Sequence, residues 1–201
     1  MALNEQILLL FGINIHSINM NFPQAFLDSL AFTLKWEGGY SNNIHDAGGA
    51  TNFGVTHSVY DTYRHSKHLP FQNVKNITAE EVNDIYFNSY WKQAKCEAMP
   101  RKIAMTVFDF AVNSGVGRAI KKLQKTIGAE PDGDFGARSM LLLTNKIAQS
   151  SEVEVANHYL QLRIDFLTSV AQTNPKNKTF LKGWLNRVND LKKAVGAGQI
   201  V

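Results

Sequence analysis

The chain has a single cysteine, Cys96, so no intrachain disulfide can form and the fold stands without oxidative cross-links. Long apolar runs are missing too: no stretch approaches the ~18 consecutive apolar residues that a membrane span requires. No Gly-Lys-Ser/Thr ending follows any glycine cluster, which excludes a P-loop for phosphate. His45, His57, His65 and His68 lack His-Glu-x-x-His spacing and no cysteine cluster accompanies them, so they read as structural or surface residues rather than zinc ligands. Asp132 and Asp134 begin like a calcium loop, but the glycine is misplaced and Leu143 stands where the closing glutamate would be. Metal and cofactor are therefore not expected. Charge is sparse, with 19% charged residues and a net +4, and Lys and Arg occur in short groups such as Lys121-Lys122 and Lys192-Lys193. This distribution reads as a solvated basic face that tolerates anionic partners, not as a nucleic-acid site.

The chain does have an ordinary globular composition: 201 residues, 44% of them hydrophobic, enough for one domain with a substantial core or one domain with an accessory lobe. Ile7 to Ile15 resembles a short signal core, yet Glu5 precedes it and neither a basic flank nor a small-residue cleavage site is clear. Residues 1–21 are accordingly expected to be an N-terminal extension, an added helix or tail, with Met20 as an alternative start.

Helical periodicity dominates the chain from Phe22 onward. Phe22 to Glu37 carries Phe26, Leu27, Leu30 and Leu34 at three- and four-residue spacing, and Gly38-Gly39 is expected to close it through the left-handed conformation. Residues 40–56, rich in Gly, Asn and Asp, predict a loop and small hairpin, and Thr56 starts a short helix. Thr78-Ala79-Glu80-Glu81 has capping-box spacing and predicts a helix to about Trp91. Ile103, Ala104, Val107, Phe108 and Ala111 form another stripe, interrupted at Asn113-Ser114-Gly115. Further helices are expected over 117–127, 137–149, 152–172 and 178–194, with the last five residues fraying. The fold class is thus mostly α, a helical bundle with a small β-hairpin.

The chemistry concentrates where the first helix stops. Cleaving a glycosidic bond calls for an acid to protonate the leaving oxygen and a second group near the anomeric carbon. Glu37, at a helix end, can be held by packed neighbours while its carboxyl faces a cleft. Asp46, in a hydrated loop, suits the second task by activating water or stabilising positive charge, and Thr51 can orient that water. Each also has a structural reading. Glu37 can be a surface acid, although negative charge at a helix C-terminus opposes the dipole. Asp46 can cap the turn at Gly48-Gly49, and Thr51 can serve the hairpin alone. Tyr40, Tyr90 and Trp91 offer aromatic faces for sugars, and Asn113 a polar contact.

Taken in order, Glu37-Gly38-Gly39-Tyr40, Asp46 through Thr56, Tyr90-Trp91 and Phe108 through Gly115 resemble glycoside hydrolase family 108, the lysozyme-like muramidases of phages, prophages and bacteria. Asp132-Gly133-Asp134-Phe135-Gly136 and the helix before it resemble the peptidoglycan-binding region that accompanies that family. The resemblance spans roughly residues 25–190 and implies a lysozyme-like α+β fold, with a catalytic region over 22–113 and a helical peptidoglycan-binding-like region over 114–201 packed as one unit. It further implies cleavage of the β-1,4 bond between N-acetylmuramic acid and N-acetylglucosamine, with Glu37 as the acid. Asp46 and Thr51 are similar to the Asp and Thr of the broader phage-lysozyme triad, whose Thr spacing varies; His45 replaces the Pro or Ala that often precedes the acid. The partner implied is the peptidoglycan glycan strand, reached by an endolysin from the cytoplasm through a holin or by an N-terminal export route. A lytic transglycosylase and a non-catalytic wall-binding or secretion-associated protein are the alternatives.

Overall fold

The computed structural model describes residues 22–41 and 50–196. The expected extension over 1–21, Asp46 and the fraying last five residues lie outside them. Helix α1, Gln24–Trp36, buries Phe26, Ser29, Leu30 and Thr33, one face at helical spacing. It stops one residue earlier than the periodicity suggests, and by a different device. Glu37 itself turns to an extended conformation (φ −85°, ψ 145°) while its N–H still reaches Leu34 O and Thr33 O. Gly38 and Gly39 do not adopt positive φ.

Strands β1 (Thr51–Asn52) and β2 (Val55–Thr56) pair antiparallel, with Thr51 opposite Thr56 and Asn52 opposite Val55. The two turn residues, Phe53 and Gly54, have φ of 50° and 74°, the double left-handed geometry that matches the twist of a tight hairpin. Ser41 extends the ladder, exchanging backbone hydrogen bonds of 2.9 and 2.8 Å with Thr51. Buried Asn52 ties the hairpin to the following loop through the carbonyls of Val74 and Lys75.

Helix α2, His57–Ser66, starts at Thr56, whose side chain caps Val59 N. Helix α3, Ala79–Tyr86, has the expected reciprocal capping box between Thr78 and Glu81. It does not continue as a regular helix to Trp91, because Phe87–Trp91 widens into a π-helical turn. The extra residue per turn rotates Trp91 inward. Its ring packs edge-on against Phe26 and Phe108, with centroids 5.6 and 5.7 Å apart, and it is 1% exposed.

Helix α4, Arg101–Ser114, is the centre of the molecule, with Ile103 through Ala111 buried except Met105. Fully burying a side chain such as Phe108 or Phe110 contributes about 2–3 kcal/mol each. Gly115, at φ 94°, turns the chain into α5, Val116–Ile127. Helices α6 (Ala137–Gln149), α7 (Glu152–Thr173) and α8 (Lys178–Ala194) complete the bundle. Helix α4 packs against α1, α5 and α7, and α7 in turn against α5 and α8. One continuous core therefore runs from Phe26 on α1 to Leu191 on α8, and the end of α1 meets α8 where Lys35 and Trp36 bond Asp190 and Glu37 bonds Arg187. The fold is mostly helical with one small hairpin, as the periodicity indicates.

Candidate active site

Glu37 stands at this junction. It is partly buried, its side chain 23% exposed, and Oε1 accepts a hydrogen bond of 2.8 Å from Nη1 of Arg187 on α8. The other edge of the guanidinium is committed to Asp109 on α4: Nε lies 3.1 and 3.2 Å from its two carboxylate oxygens and Nη2 lies 2.7 Å from Oδ1. Asp109 also accepts from Nη1 of Arg163 on α7 at 2.7 Å and from Oγ1 of Thr33 at 3.0 Å. Thr33 is one helical turn before Glu37, so α1 is tethered at both levels, by Thr33 to Asp109 and by Glu37 to Arg187.

Asp109 is 1% exposed and meets two guanidiniums, which is how a carboxylate this deeply buried remains tolerable. Burial alone would raise the pKa of Asp109, but Arg163 and Arg187 outweigh it and hold the carboxyl below its usual range. Burial likewise works against the charge on Arg187, and Asp109 and Glu37 overcome it.

The second face of Glu37 meets the hairpin. A Cβ at Gly54 would lie 3.1 Å from Glu37 Oε2 and 2.6 Å from the hydroxyl of Tyr86. Only glycine accommodates both the positive φ and this approach. The Tyr86 hydroxyl donates to Phe53 O at 2.8 Å and so fixes the turn over the carboxylate. Tyr90 lies beside it, with ring centroids 5.6 Å apart. Burial and then the charge of Glu37 push both tyrosine hydroxyls up, so they are neutral donors near an acid. The carboxyl is thus anchored through one oxygen, while the other faces the turn.

The residues expected from sequence fall in different places. Tyr90 is brought near Glu37. Thr51 lies in the hairpin, its backbone engaged by both Ser41 and Thr56. Tyr40 is 42% exposed, with Lys75 Nζ 5.6 Å from its ring centroid. Asn113, on the last turn of α4, shares a cavity with Trp36, Trp184 and Arg187. Trp91 is a correction: it belongs to the core, not to an open sugar-contacting face. Asp46 is outside the described residues.

The sequence reading missed Asp109, Arg163 and Arg187. Each interrupts an apolar stripe: Asp109 stands between Phe108 and Phe110, Arg163 between Leu160 and Leu167, and Arg187 beside Val188 and Leu191. A lone charge on a core-facing position is the signal that marks them.

The family described as Glycosyl hydrolase 108 matches residues 30–115, and the Predicted Peptidoglycan domain matches residues 118–189. Among solved structures, SagA of Brucella abortus is similar over 86% of this chain and 94% of its own, with 29% sequence identity and a TM-score of 0.68. No curated protein matches the chain. Glu37 falls in the first matched segment and its anchor Arg187 in the second, so the two segments meet in one site. Residues 30–115 thus match the glycosyl hydrolase 108 family and residues 118–189 the predicted peptidoglycan domain, and the chain is a glycoside hydrolase that acts on peptidoglycan.

Proposed function

We propose that the chain is an N-acetylmuramidase that cuts the β-1,4 bond between N-acetylmuramic acid and N-acetylglucosamine, with Glu37 as general acid. The observation that supports this most is the setting of Glu37, which is partly buried, anchored through Oε1 by Arg187 and turned with Oε2 toward the hairpin. In this reading Glu37 gives its proton to the glycosidic oxygen as the bond to the anomeric carbon breaks. Water bonds to that carbon and yields its proton to Asp46, and solvent exchange restores both carboxyls. Thr51 orients the water, and Tyr40, Tyr90 and Asn113 contact the sugar.

Glu37→Gln keeps the shape of the side chain and removes the proton donor. The folded variant should release reducing sugars from purified peptidoglycan at least ~100-fold more slowly than the parent, the usual scale for a lost general acid. Parent-like release by the folded variant sinks the assignment.

Asp109 favours a second reading. Among the described residues it is the carboxylate joined to Glu37 through a shared guanidinium, and it is 1% exposed and fully engaged. A lytic transglycosylase needs one acid and closes the muramic sugar on itself. Mass spectrometry of the products separates the two: a reducing-end sugar supports hydrolysis, and a 1,6-anhydromuramic end supports transglycosylation.

We further propose a phage or prophage endolysin role, with the protein reaching the wall from the cytoplasm through a holin. Fractionating cells that express the full chain or a chain starting at Met20 tests it. Export of the full chain alone, without a holin, would replace the holin route with an N-terminal one.

A further inference from the structure

A cavity of about 350 Å³ lies between the end of α1 and the first half of α8. We propose that it is a saccharide subsite contiguous with Glu37, formed by Trp36, Asn113, Thr179, Phe180, Trp184 and Arg187. The choice of a sugar as occupant rests on the proposed peptidoglycan reaction; the site itself rests on four observations.

The first is an open aromatic platform. Phe180 and Trp184, one turn apart on α8, stack with centroids 6.1 Å apart and planes inclined by 25°, and Phe180 is 58% exposed. A flat apolar face left open to water suits the C–H face of a pyranose ring. The second is the mixed lining. Trp36 is held by its Nε1–H donating to Asp190 at 3.2 Å, while Asn113 and Thr179 supply an amide and a hydroxyl suited to N-acetyl and hydroxyl groups. An aromatic enclosure with a few polar groups, in a volume of ~300–1,000 Å³, is the usual form of a small-ligand site.

The third is Gly183. It lies inside α8 with ordinary helical backbone, where alanine would be the more stable choice, and a Cβ there would meet nothing within 4 Å. Neither backbone conformation nor packing explains the glycine, and its effect is to leave the cavity lining without a side chain at that point. The fourth is continuity. Arg187 lines the cavity and also donates to Glu37 Oε1, and Trp36 is the residue immediately before Glu37. A strand seated on the aromatic platform therefore passes beside the acid.

The test uses the full-length Glu37→Gln protein and a peptide-free tetrasaccharide of alternating N-acetylglucosamine and N-acetylmuramic acid. Of the three tryptophans, Trp36 and Trp184 line the cavity and Trp91 is buried, so intrinsic fluorescence reports occupancy directly. A saturable emission change is expected. Trp184→Ala and Phe180→Ala should weaken binding roughly fivefold each, as loss of one aromatic contact predicts. Gly183→Leu should block binding by projecting a side chain into the cavity. Phe180 is exposed, so its truncation leaves the fold intact and carries the test even if Gly183→Leu misfolds.

On an active Glu37 background, Phe180→Ala should raise KM about fivefold with kcat little changed. Unchanged affinity and KM in Phe180→Ala and Trp184→Ala overturn the subsite. Binding of stem-bearing fragments without binding of the stripped glycan overturns it in favour of the peptide. Failure of the parent protein to release any sugar from peptidoglycan would instead defeat the proposed reaction, leaving the glycan titration to decide the subsite.

Discussion

Arg187 donates to Glu37 across 150 residues of chain, at 2.8 Å, with the same guanidinium that grips Asp109. The planar fork is what makes this double engagement possible, because one edge serves Asp109 while Nη1 is left for the acid. Lysine keeps the charge and loses the fork. Arg187→Lys should therefore remain folded but lose about 100-fold in kcat/KM, the cost of a catalytic group displaced by roughly 1 Å. Arg187→Met should be worse for stability, by about 3–5 kcal/mol, since it breaks a buried ion pair, leaving Asp109 with Arg163 alone and Glu37 without its guanidinium. Urea unfolding combined with kinetics on soluble peptidoglycan measures both, and parent-like turnover by Arg187→Lys would remove Arg187 from the acid's support.

Gly54 separates backbone strain from steric contact. Gly54→Ala places a methyl at φ 74°, 2.6 Å from the Tyr86 hydroxyl. The left-handed backbone alone costs about 1–2 kcal/mol, and the clash adds to it by lifting the turn from Glu37. Adding Tyr86→Phe removes the clashing oxygen together with its bond to Phe53 O. The double variant should then be less destabilised than the sum of the singles. Strict additivity in thermal or urea unfolding would mean the turn and Tyr86 do not press on one another.

Asp109 gives the protein an acid limb with a defined sign. Its folded pKa is depressed, so above the unfolded carboxylate value of ~3.9 the carboxylate contributes its full stabilisation. That stabilisation is lost as pH falls through the lower, folded value, because the unfolded chain takes up the proton first. Urea midpoints measured from pH 7 down to pH 2 should fall below about pH 4. Asp109→Asn should be less stable by about 3–5 kcal/mol at pH 7, with a shallower decline in that window, since two buried guanidiniums lose a partner. An unchanged acid limb in the variant would reassign it to other carboxylates.

Cys96 offers a probe of global opening. It is 0% exposed, and burial pushes its thiol well above the ordinary range. Neither access nor thiolate is provided in the folded state. Labelling by a disulfide-exchange reagent at pH 8 should be at least ~1,000-fold slower than in urea-unfolded protein, tracking the opening equilibrium. Rapid labelling of the native protein would show that the region around α4 opens locally.

How much of this was legible in the sequence depended on range. The amphipathic stripes of α1, α4 and α5 and the capping box at Thr78 are local signals, and they located the bundle. Glu37 was legible because a carboxyl at a helix end before two glycines is a local oddity as well. What closes that helix was not: the chain leaves through Glu37 itself, in extended backbone, rather than through a left-handed glycine. Trp91 misled because an aromatic face suits a sugar and the core equally well, and the widened turn over Phe87–Trp91 that accompanies its burial has no local sequence signal. Arg187 was invisible as a partner of Glu37 because periodicity says which face a residue occupies, not which distant residue it meets. Its position on an apolar stripe was the available clue, and the same clue marks Asp109 and Arg163.

The length of chain between Glu37 and Arg187 also sets an order of events during synthesis. The acid leaves the ribosome early, and the guanidinium that fixes it emerges 150 residues later. A nascent chain that stops short of α8 holds a carboxyl without its anchor and lacks the aromatic wall beside it. The pairing of Glu37 with Arg187 is therefore completed only once α8 has been made.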